Sequence, residues 1–404
     1  MAINKEQNKL NVPHLRFPEF HGEWCVSTIG EQFDLYSGNT PSRLNKEHFE
    51  GNVNWITSGE LKEHYISDTK EKISEDAATA NNLKLLHPGT FVIAIYGLEA
   101  DGVRGTGSIT CKESTLSQAC MAFTQKGDVK NEFLYSWYKK HGNIIGIKYA
   151  QGTKQQNLSY DILEKFHIAF PSQDEQDKLI KFISLLDERI ATQSKLIEKL
   201  ESLIKGINQR VFMNSGNNYK LGEICEIRSG YSGSQLLSKK GLKVSRIETI
   251  SGHKVNMERV GYVAPFESSE NYRLRVGDIL FSNINSVEYI GNTAFIDKDY
   301  DLYHGMNLLR LTPNHMVVIP FYLYLLLNTN RMLNRFKAVC NKAVSQASIN
   351  QTELGKTVVQ IPPINTQEQI CELYQALYTK LETESHTKSL FQNQKQYMLR
   401  QMFI

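Results

Sequence analysis

The chain has 404 residues, with 41% hydrophobic and 22% charged residues and a formal net charge of +3. Those proportions are ordinary for globular proteins, and the length exceeds one ordinary core, so two or more domains are expected. The near-neutral balance excludes a uniformly basic nucleic-acid binder, and the longest apolar run, Phe321 to Leu327, is too short to span a membrane.

The N-terminal segment, residues 1–21, lacks the apolar core of a signal peptide at Met1-Ala2-Ile3-Asn4-Lys5-Glu6. Six cysteines stand singly at 25, 111, 120, 225, 340 and 371, without the paired spacing of a zinc site. Reduced, mostly buried thiols and a cytoplasmic location are expected.

Residues 26–170 hold short apolar runs bounded by Gly, Asn, Ser and Pro, such as Thr90 to Ile95, interrupted by a helical stretch at Glu132 to His141. This pattern predicts a mixed α/β domain of irregular strand order. Pro171 and then Ser172-Gln173-Asp174-Glu175 predict a helix start, with Ser172 and Glu175 as a capping box. The helix from Gln173 to Met213 carries a seam of Leu179, Ile183, Leu186, Ile190, Gln193, Ile197, Leu200, Ile204, Ile207 and Val211. Its steps alternate four and three, the register of a coiled coil. Ser215-Gly216-Asn217-Asn218 ends it.

Residues 219–361 repeat the mixed pattern, with apolar runs at Ile279 to Phe281 and Thr293 to Ile296 and a helical stretch at Pro320 to Ala338. After Pro362-Pro363 a second helix is expected, with Thr366 and Gln369 as its capping box. Its seam reads Tyr374, Leu377, Leu381, Glu384, Lys388, Phe391, Lys395, Met398 and Met402. Neither apolar stripe can bury itself alone, so an antiparallel pair is expected.

The order globule, helix, globule, helix reflects a duplication. Ile29-Gly30-Glu31 and Ser37-Gly38 return as Leu221-Gly222-Glu223 and Ser229-Gly230; Pro88-Gly89-Thr90-Phe91-Val92 returns as Val276-Gly277-Asp278-Ile279-Leu280. Gln155-Gln156-Asn157-Leu158 returns as Gln346-Ala347-Ser348-Ile349, Pro171 as Pro362, Glu175-Gln176 as Glu368-Gln369, and Phe212 as Phe403. The fold class is α+β: two tandem pseudo-symmetric α/β domains joined by two long antiparallel coiled-coil helices. The divisions are residues 22–171, 172–214, 215–362 and 363–404.

Catalytic motifs are lacking. No GxxxxGK[ST], HExxH or GxSxG occurs, and Gly102-Val103-Arg104-Gly105-Thr106-Gly107 has the wrong glycine order for a dinucleotide loop. Pro362-Pro363 is flanked by Ile361 and Ile364, unlike the Asn/Asp-Pro-Pro-aromatic motif of amino-methyltransferases, and reads as a helix start. No catalytic residue, metal site or cofactor is expected.

What remains is polar loop chemistry suited to phosphates and base edges. In the first copy the candidates are Asn39, Thr40, Ser42, Arg43, Lys46, Thr57, Ser58, Tyr96, Arg104, Gln151, Thr153, Lys154 and Gln155. In the second they are Tyr231, Ser234, Lys239, Lys240, Arg246, Asn283, Asn285, Ser286, Lys342, Ser345 and Gln346. Each taken singly has a plainer reading as a solvated loop residue, and Trp55 reads as packing. Residues 220–356 carry 17 Lys+Arg against 12 Asp+Glu, whereas residues 26–165 carry 15 against 17, so the second copy is the more basic.

Taken together, Val12-Pro13-His14-Leu15-Arg16-Phe17-Pro18-Glu19-Phe20 with Trp24, the turn at Ser37 to Ser42, Gly152-Thr153-Lys154-Gln155-Gln156-Asn157-Leu158-Ser159, and Pro171-Ser172 with Glu175-Gln176 resemble the specificity (S) subunit of type I restriction–modification systems. The resemblance covers essentially the whole chain. It implies two target-recognition domains, each reading one half of a bipartite asymmetric site in double-stranded DNA. It implies helices that set the spacer between the halves and dock two modification subunits. Those partners would carry S-adenosylmethionine and methylate adenine, and motor-endonuclease subunits would add ATP-driven cleavage; none of that chemistry is implied for this chain. The second copy lacks the Gly-Thr pair of 152–153, as expected if the halves read different sequences. Two other readings stand beside this one: a variant of a fused methyltransferase–specificity protein, and a scaffold whose coiled coil binds other proteins.

Overall fold

The computed structural model describes residues 11–98, 103–150, 157–212, 216–342 and 346–404. The chain divides into two compact units. One comprises Met1–Lys195 with Ser385–Ile404, the other Leu196–Glu384. Each long helix therefore contributes one of its ends to each unit.

The first unit is built on a five-stranded sheet in the order Phe33–Ser37, Cys120–Gln125, Phe91–Ala94, Gly107–Thr110, Tyr65–Ile66. All its pairings are antiparallel except the last. The second unit carries a four-stranded sheet, Cys225–Ser229, Leu308–Pro313, Ile279–Ser282, Thr293–Phe295, antiparallel throughout. The first four strands of the one sheet correspond in order to the four of the other, so the duplication reaches the topology. In both, the turn before the third strand needs a residue at positive φ, and glycine supplies it: Gly89 at 85° and Gly277 at 98°. A helix covers one face in each unit. In the first it is the single helix Asn131–Tyr149; in the second, Asn328 and Thr329 break the run into Pro320–Leu327 and Asn330–Val339.

The long helices span Gln173–Val211 and Ile364–Met402. Within the first unit Leu179, Ile183 and Leu186 are buried with Leu399, Met402 and Phe403 against the sheet helix, where Phe403 meets Phe133 at 5.1 Å. Asp187 lies on Lys395 (2.5 Å) and Arg189 on the Phe391 ring (5.6 Å), so the two helix segments run antiparallel. Within the second unit Ile204 is buried with Ile370 and Tyr374, Leu377 and Leu381 pack at the edge of that core, and the Tyr374 hydroxyl donates to Asn208 Oδ1. Ile190, Ile197, Leu200, Ile207, Leu377, Leu381, Phe391 and Met398 are half-buried. Among the described residues no helix is long and apolar enough to cross a membrane. Four of the six cysteines are buried, Cys25 and Cys111 are exposed, and all six are free.

Three expectations need correction at the helix starts. Glu175 does not turn back on Ser172; its two oxygens accept from Arg16 Nε and Nη2 at 2.8 and 2.7 Å. A bidentate charged partner outbids a main-chain amide that water also serves. Thr366 is no cap, because the second helix already begins at Ile364. Finally, the partner of Gln176 in the second copy is Gln367 rather than Gln369. Gln176 Oε1 accepts from Lys130 N–H (3.0 Å) while its Nε2 donates to the carbonyls of Asp128 (3.1 Å) and Pro171 (3.0 Å). Gln367 makes the same three bonds, from Ile319 N–H (2.8 Å) and to Val317 (3.2 Å) and Pro362 (2.8 Å). Both glutamines have no exposed surface.

The first unit also holds a half-buried polar knot. His64 is stacked between Tyr135 (3.9 Å) and Tyr65 (4.1 Å). Its ring nitrogens contact Asp187 of the first long helix (3.2 Å) and Glu132 of the sheet helix (2.8 Å). Lys395 and Lys139 lie over the Tyr135 ring, and burial pushes Lys139 down to about 8. Burial alone would lower the His64 pKa, but the two carboxylates overturn it and raise the ring above its ordinary 6.5. A raised histidine stabilises fully below its unfolded pKa, and the contribution fades as pH climbs through the folded value. The melting-temperature advantage of the native chain over His64→Gln is therefore expected to be largest below about pH 6 and to shrink above neutrality. An advantage independent of pH would contradict the charged knot.

Candidate nucleic-acid interface

In the first unit one short backbone stretch, Leu116 to Cys120, gathers the candidate segments. Asn39 N–H donates to Leu116 O (3.1 Å), Ser117 N–H to Ile56 O (2.9 Å), and Ile95 N–H to Ala119 O (2.9 Å). The polar runs after strands Phe33–Ser37, Val53–Ile56 and Phe91–Ala94 therefore meet at one sheet end. Leu158 N–H donates to Ile95 O (2.9 Å) and brings the chain after residue 156 to the same place. Gln151, Thr153, Lys154 and Gln155 lie outside the described residues.

The second unit uses His304 and Gly305 in a related way. Tyr231 N–H donates to His304 O (2.9 Å), and Gly305 N–H to Ser245 Oγ (3.0 Å) beside Arg246. Ile349 N–H donates to Asn283 O (2.9 Å), repeating the Leu158–Ile95 bond. A three-stranded sheet of Ile284–Asn285, Ala347–Ser348 and Asn341–Lys342 then joins Asn283, Asn285 and Ser286 to the segment that carries Gln346. Ser345 lies outside the described residues.

Two glycines make these junctions possible. A Cβ on Gly38 would sit 1.9 Å from Leu116 O, and one on Gly230 would sit 1.9 Å from Gly305 O. No rotamer relieves a clash with a carbonyl, so the whole segment would have to move. Gly38→Ala and Gly230→Ala are each expected to cost roughly 1–3 kcal/mol in denaturant unfolding; a neutral result would contradict the close approach.

The side chains are unequally free. Asn39, Ser42 and Lys46 are exposed. Arg43 is held by Glu71 (2.5 Å), which it keeps below the ordinary carboxylate range, and it lies over Phe49 and Trp55. Trp55 is 2% exposed and is packing, with its Nε1–H on Asn39 O. Thr57 closes the first turn of Ser58–Glu60 with Glu60, a local structural task. Tyr96 is exposed. Arg104 runs its stem past Gly146 of the sheet helix.

In the second unit Tyr231 stacks on Phe266 at 4.0 Å. Ser234 and Arg246 line a cavity of about 430 Å³ with Gln235, Glu248 and Asn307. Lys239 and Lys240 are exposed. Asn285 Oδ1 accepts from Ser286 N–H (2.8 Å), and its Nδ2 donates to Ser282 Oγ (3.0 Å). Asn283 Oδ1 is buried without a partner among the described residues.

Sequence reasoning missed Arg228, Arg310 and Gln351, which line a second cavity of about 460 Å³ with Ser229, Asn271 and His304. The available signal was Arg310 itself, a lone cation in the apolar strand Leu308–Pro313. Burial pushes the His304 ring down to about 4, so it is neutral beside Arg310. Among the described residues no group of three or more His, Cys, Asp or Glu could hold a metal. The arrangement offers polar and cationic donors at the same end of two related sheets, with different side chains in each.

Residues 21–202 and 215–390 each match the type I restriction modification DNA specificity domain. A Methanocaldococcus jannaschii protein named as the type I restriction enzyme MjaX specificity subunit is 38% identical over 188 residues, 46% of this chain and 44% of that one. The chain thus spans less than half the length of that relative in the match. The MjaVIII specificity subunit of the same organism is 23% identical over 430 aligned positions, covering 99% of this chain and 96% of that one. The fold resembles the S subunit of a type I restriction–modification system from M. genitalium, with a TM-score of 0.57 at 18% identity over 97% of this chain and 99% of that one. The chain belongs to the family of type I restriction modification DNA specificity domains and carries that domain twice.

Proposed function

We propose that this chain is the non-catalytic DNA-reading subunit of a cytoplasmic restriction–modification complex. Residues 22–171 and 215–362 act as its two target-recognition domains, each reading one half of a bipartite asymmetric site in the major groove. The helical stretches 172–214 and 363–404 set the number of unread base pairs and dock two modification subunits; motor-endonuclease subunits join through the complex. Residues 1–21 lie outside these modules.

One observation carries this reading: a shared framework presents different side chains. Asn39 and its counterpart Tyr231 donate equivalent main-chain bonds to Leu116 O and His304 O, and Leu158 and Ile349 donate equivalent ones to Ile95 O and Asn283 O; at the neighbouring position Ser117 meets the Ile56 carbonyl and Gly305 the Ser245 hydroxyl. Asn39 in one copy answers to Tyr231 in the other, and Tyr96 to Ile284. A scaffold kept constant while its polar loops differ suits two readers of two different short sequences, because base readout resides in side chains and register resides in the backbone.

Methyladenine mapping across a host genome, with and without this chain, tests the proposal. Methylation at a two-part motif is expected only when the chain and its modification partners are present. Methylation unchanged by loss of the chain would rule the function out.

A further inference from the structure

In the second unit the strands Cys225–Ser229 and Leu308–Pro313 set Arg228 directly opposite Arg310. Like charges at directly opposed positions destabilise a sheet. The framework does not require the pairing, since the same register in the first unit sets Tyr36 opposite Ala122. Arg310 is 8% exposed. Its Nη1 and Nη2 donate to the main-chain carbonyls of Arg273 (3.1 Å) and Asn271 (3.2 Å), and its Nε has no partner among the described residues. Among the described residues no carboxylate pairs with it. Arg228 is tied to Glu226 of its own strand (2.6 Å).

Carbonyl dipoles orient a guanidinium but do not cancel its charge, and a buried charge without a counter-charge is costly. The cavity of about 460 Å³ beside this pair has no carboxylate in its lining. It is bordered by Ser229, which opens the polar segment of the second copy, and by the neutral donors Asn271 and Gln351. Two guanidiniums, one of them uncompensated, facing a space large enough for a tetrahedral anion call for an anionic occupant. The edge of a base is neutral and would leave the charge where it is.

We infer that this cavity is a phosphate subsite, which takes one phosphodiester group of the DNA strand at the second half-site between Arg310 and Arg228. The inference rests on the DNA-reading function proposed above. The first unit, with Tyr36 and Ala122 in these places, has no equivalent subsite, so the second domain grips the backbone at a point where the first does not.

The test uses the full chain and a duplex bearing its mapped site, with affinity followed against salt. Arg310→Met and Arg228→Gln are each expected to weaken binding by roughly tenfold and to lower the slope of log affinity against log salt by about 0.9, the loss of one phosphate contact. The half-site sequence stays the same. The melting temperature of the free Arg310→Met chain stays level or rises, since an uncompensated buried charge has gone. A neutral methylphosphonate at one position near the second half-site weakens the native chain and leaves Arg310→Met unaffected. A salt slope equal to the native one, or a changed base preference in the second half-site, would overturn the phosphate subsite. So would a lower melting temperature with DNA binding intact, which marks a purely structural arginine. Failure of the native chain to bind any duplex would instead overturn the DNA-reading function. Inorganic phosphate then decides the subsite alone: it must raise the melting temperature of the native chain more than that of Arg310→Met, and equal shifts would refute it.

Discussion

Gln176→Leu and Gln367→Leu are each expected to destabilise the unit that contains them by about 3 kcal/mol. Each glutamine is fully buried where a long helix leaves its domain, and each closes three hydrogen bonds at once. Leucine fills most of the volume but satisfies none of them. Losing Gln176 strands the N–H of Lys130 and the carbonyl of Pro171; the Asp128 carbonyl keeps its bond from Gln173 (2.6 Å). Losing Gln367 strands Ile319 N–H and the carbonyls of Val317 and Pro362. A buried polar group left unpaired costs ~1–3 kcal/mol, and for a unit of this size ~3 kcal/mol corresponds to a melting shift of roughly 6–12 °C. Gln369→Leu is the discriminating control. That side chain is exposed, and its replacement is expected to stay within about 0.5 kcal/mol of neutral. If Gln369→Leu were the costly change and Gln367→Leu the neutral one, the clasp would be misassigned. Thermal and urea unfolding of the three variants provide the measurement.

The second large effect concerns DNA. A matched heptad inserted into both long helices, after Lys195 in the first and after Glu384 in the second, falls where each helix passes from one unit to the other. Seven residues preserve the a/d seam and add about 10 Å of helix, the axial length of about three base pairs. The methylated motif is expected to keep both half-sites and to lengthen its unread spacer by up to about three base pairs. Placing the insertion in both helices matters because the seams pair antiparallel within each unit: a heptad in one alone would bulge and lose the Asp187–Lys395 and Tyr374–Asn208 contacts. A spacer of unchanged length would show that the helices do not set it.

Much of the architecture was legible because it rests on repeated, period-bearing signals. The 4-3 steps of Leu179, Ile183, Leu186 and Ile190 fix which face of a helix is apolar wherever it is packed. The Gly89 and Gly277 turns need positive φ, and glycine declares that in any context. The helix starts were less legible because several local signals competed there. Glu175 has the spacing of a capping box, yet Arg16, 159 residues away in sequence, offers a stronger partner. Glu-Gln occurs at both helix starts, so alignment by letters paired Gln176 with Gln369; the hydrogen bonds pair it with Gln367. In the candidate interface, a polar loop residue looks the same in sequence whether it is free or engaged. Arg43 reads as an available cation and is held by Glu71 and two rings. Arg310 reads as one polar letter in an apolar strand and proves to be a buried cation facing another, which only strand register could reveal.

The central claim is that two independent readers share one chain. Methyladenine mapping after residues 216–361 are exchanged for the equivalent domain of a relative with a different target tests it most directly. The expected result is a hybrid motif in which one half-site is the donor's while the other half-site and the spacer are unchanged. A motif altered in both halves, or in neither, would contradict it.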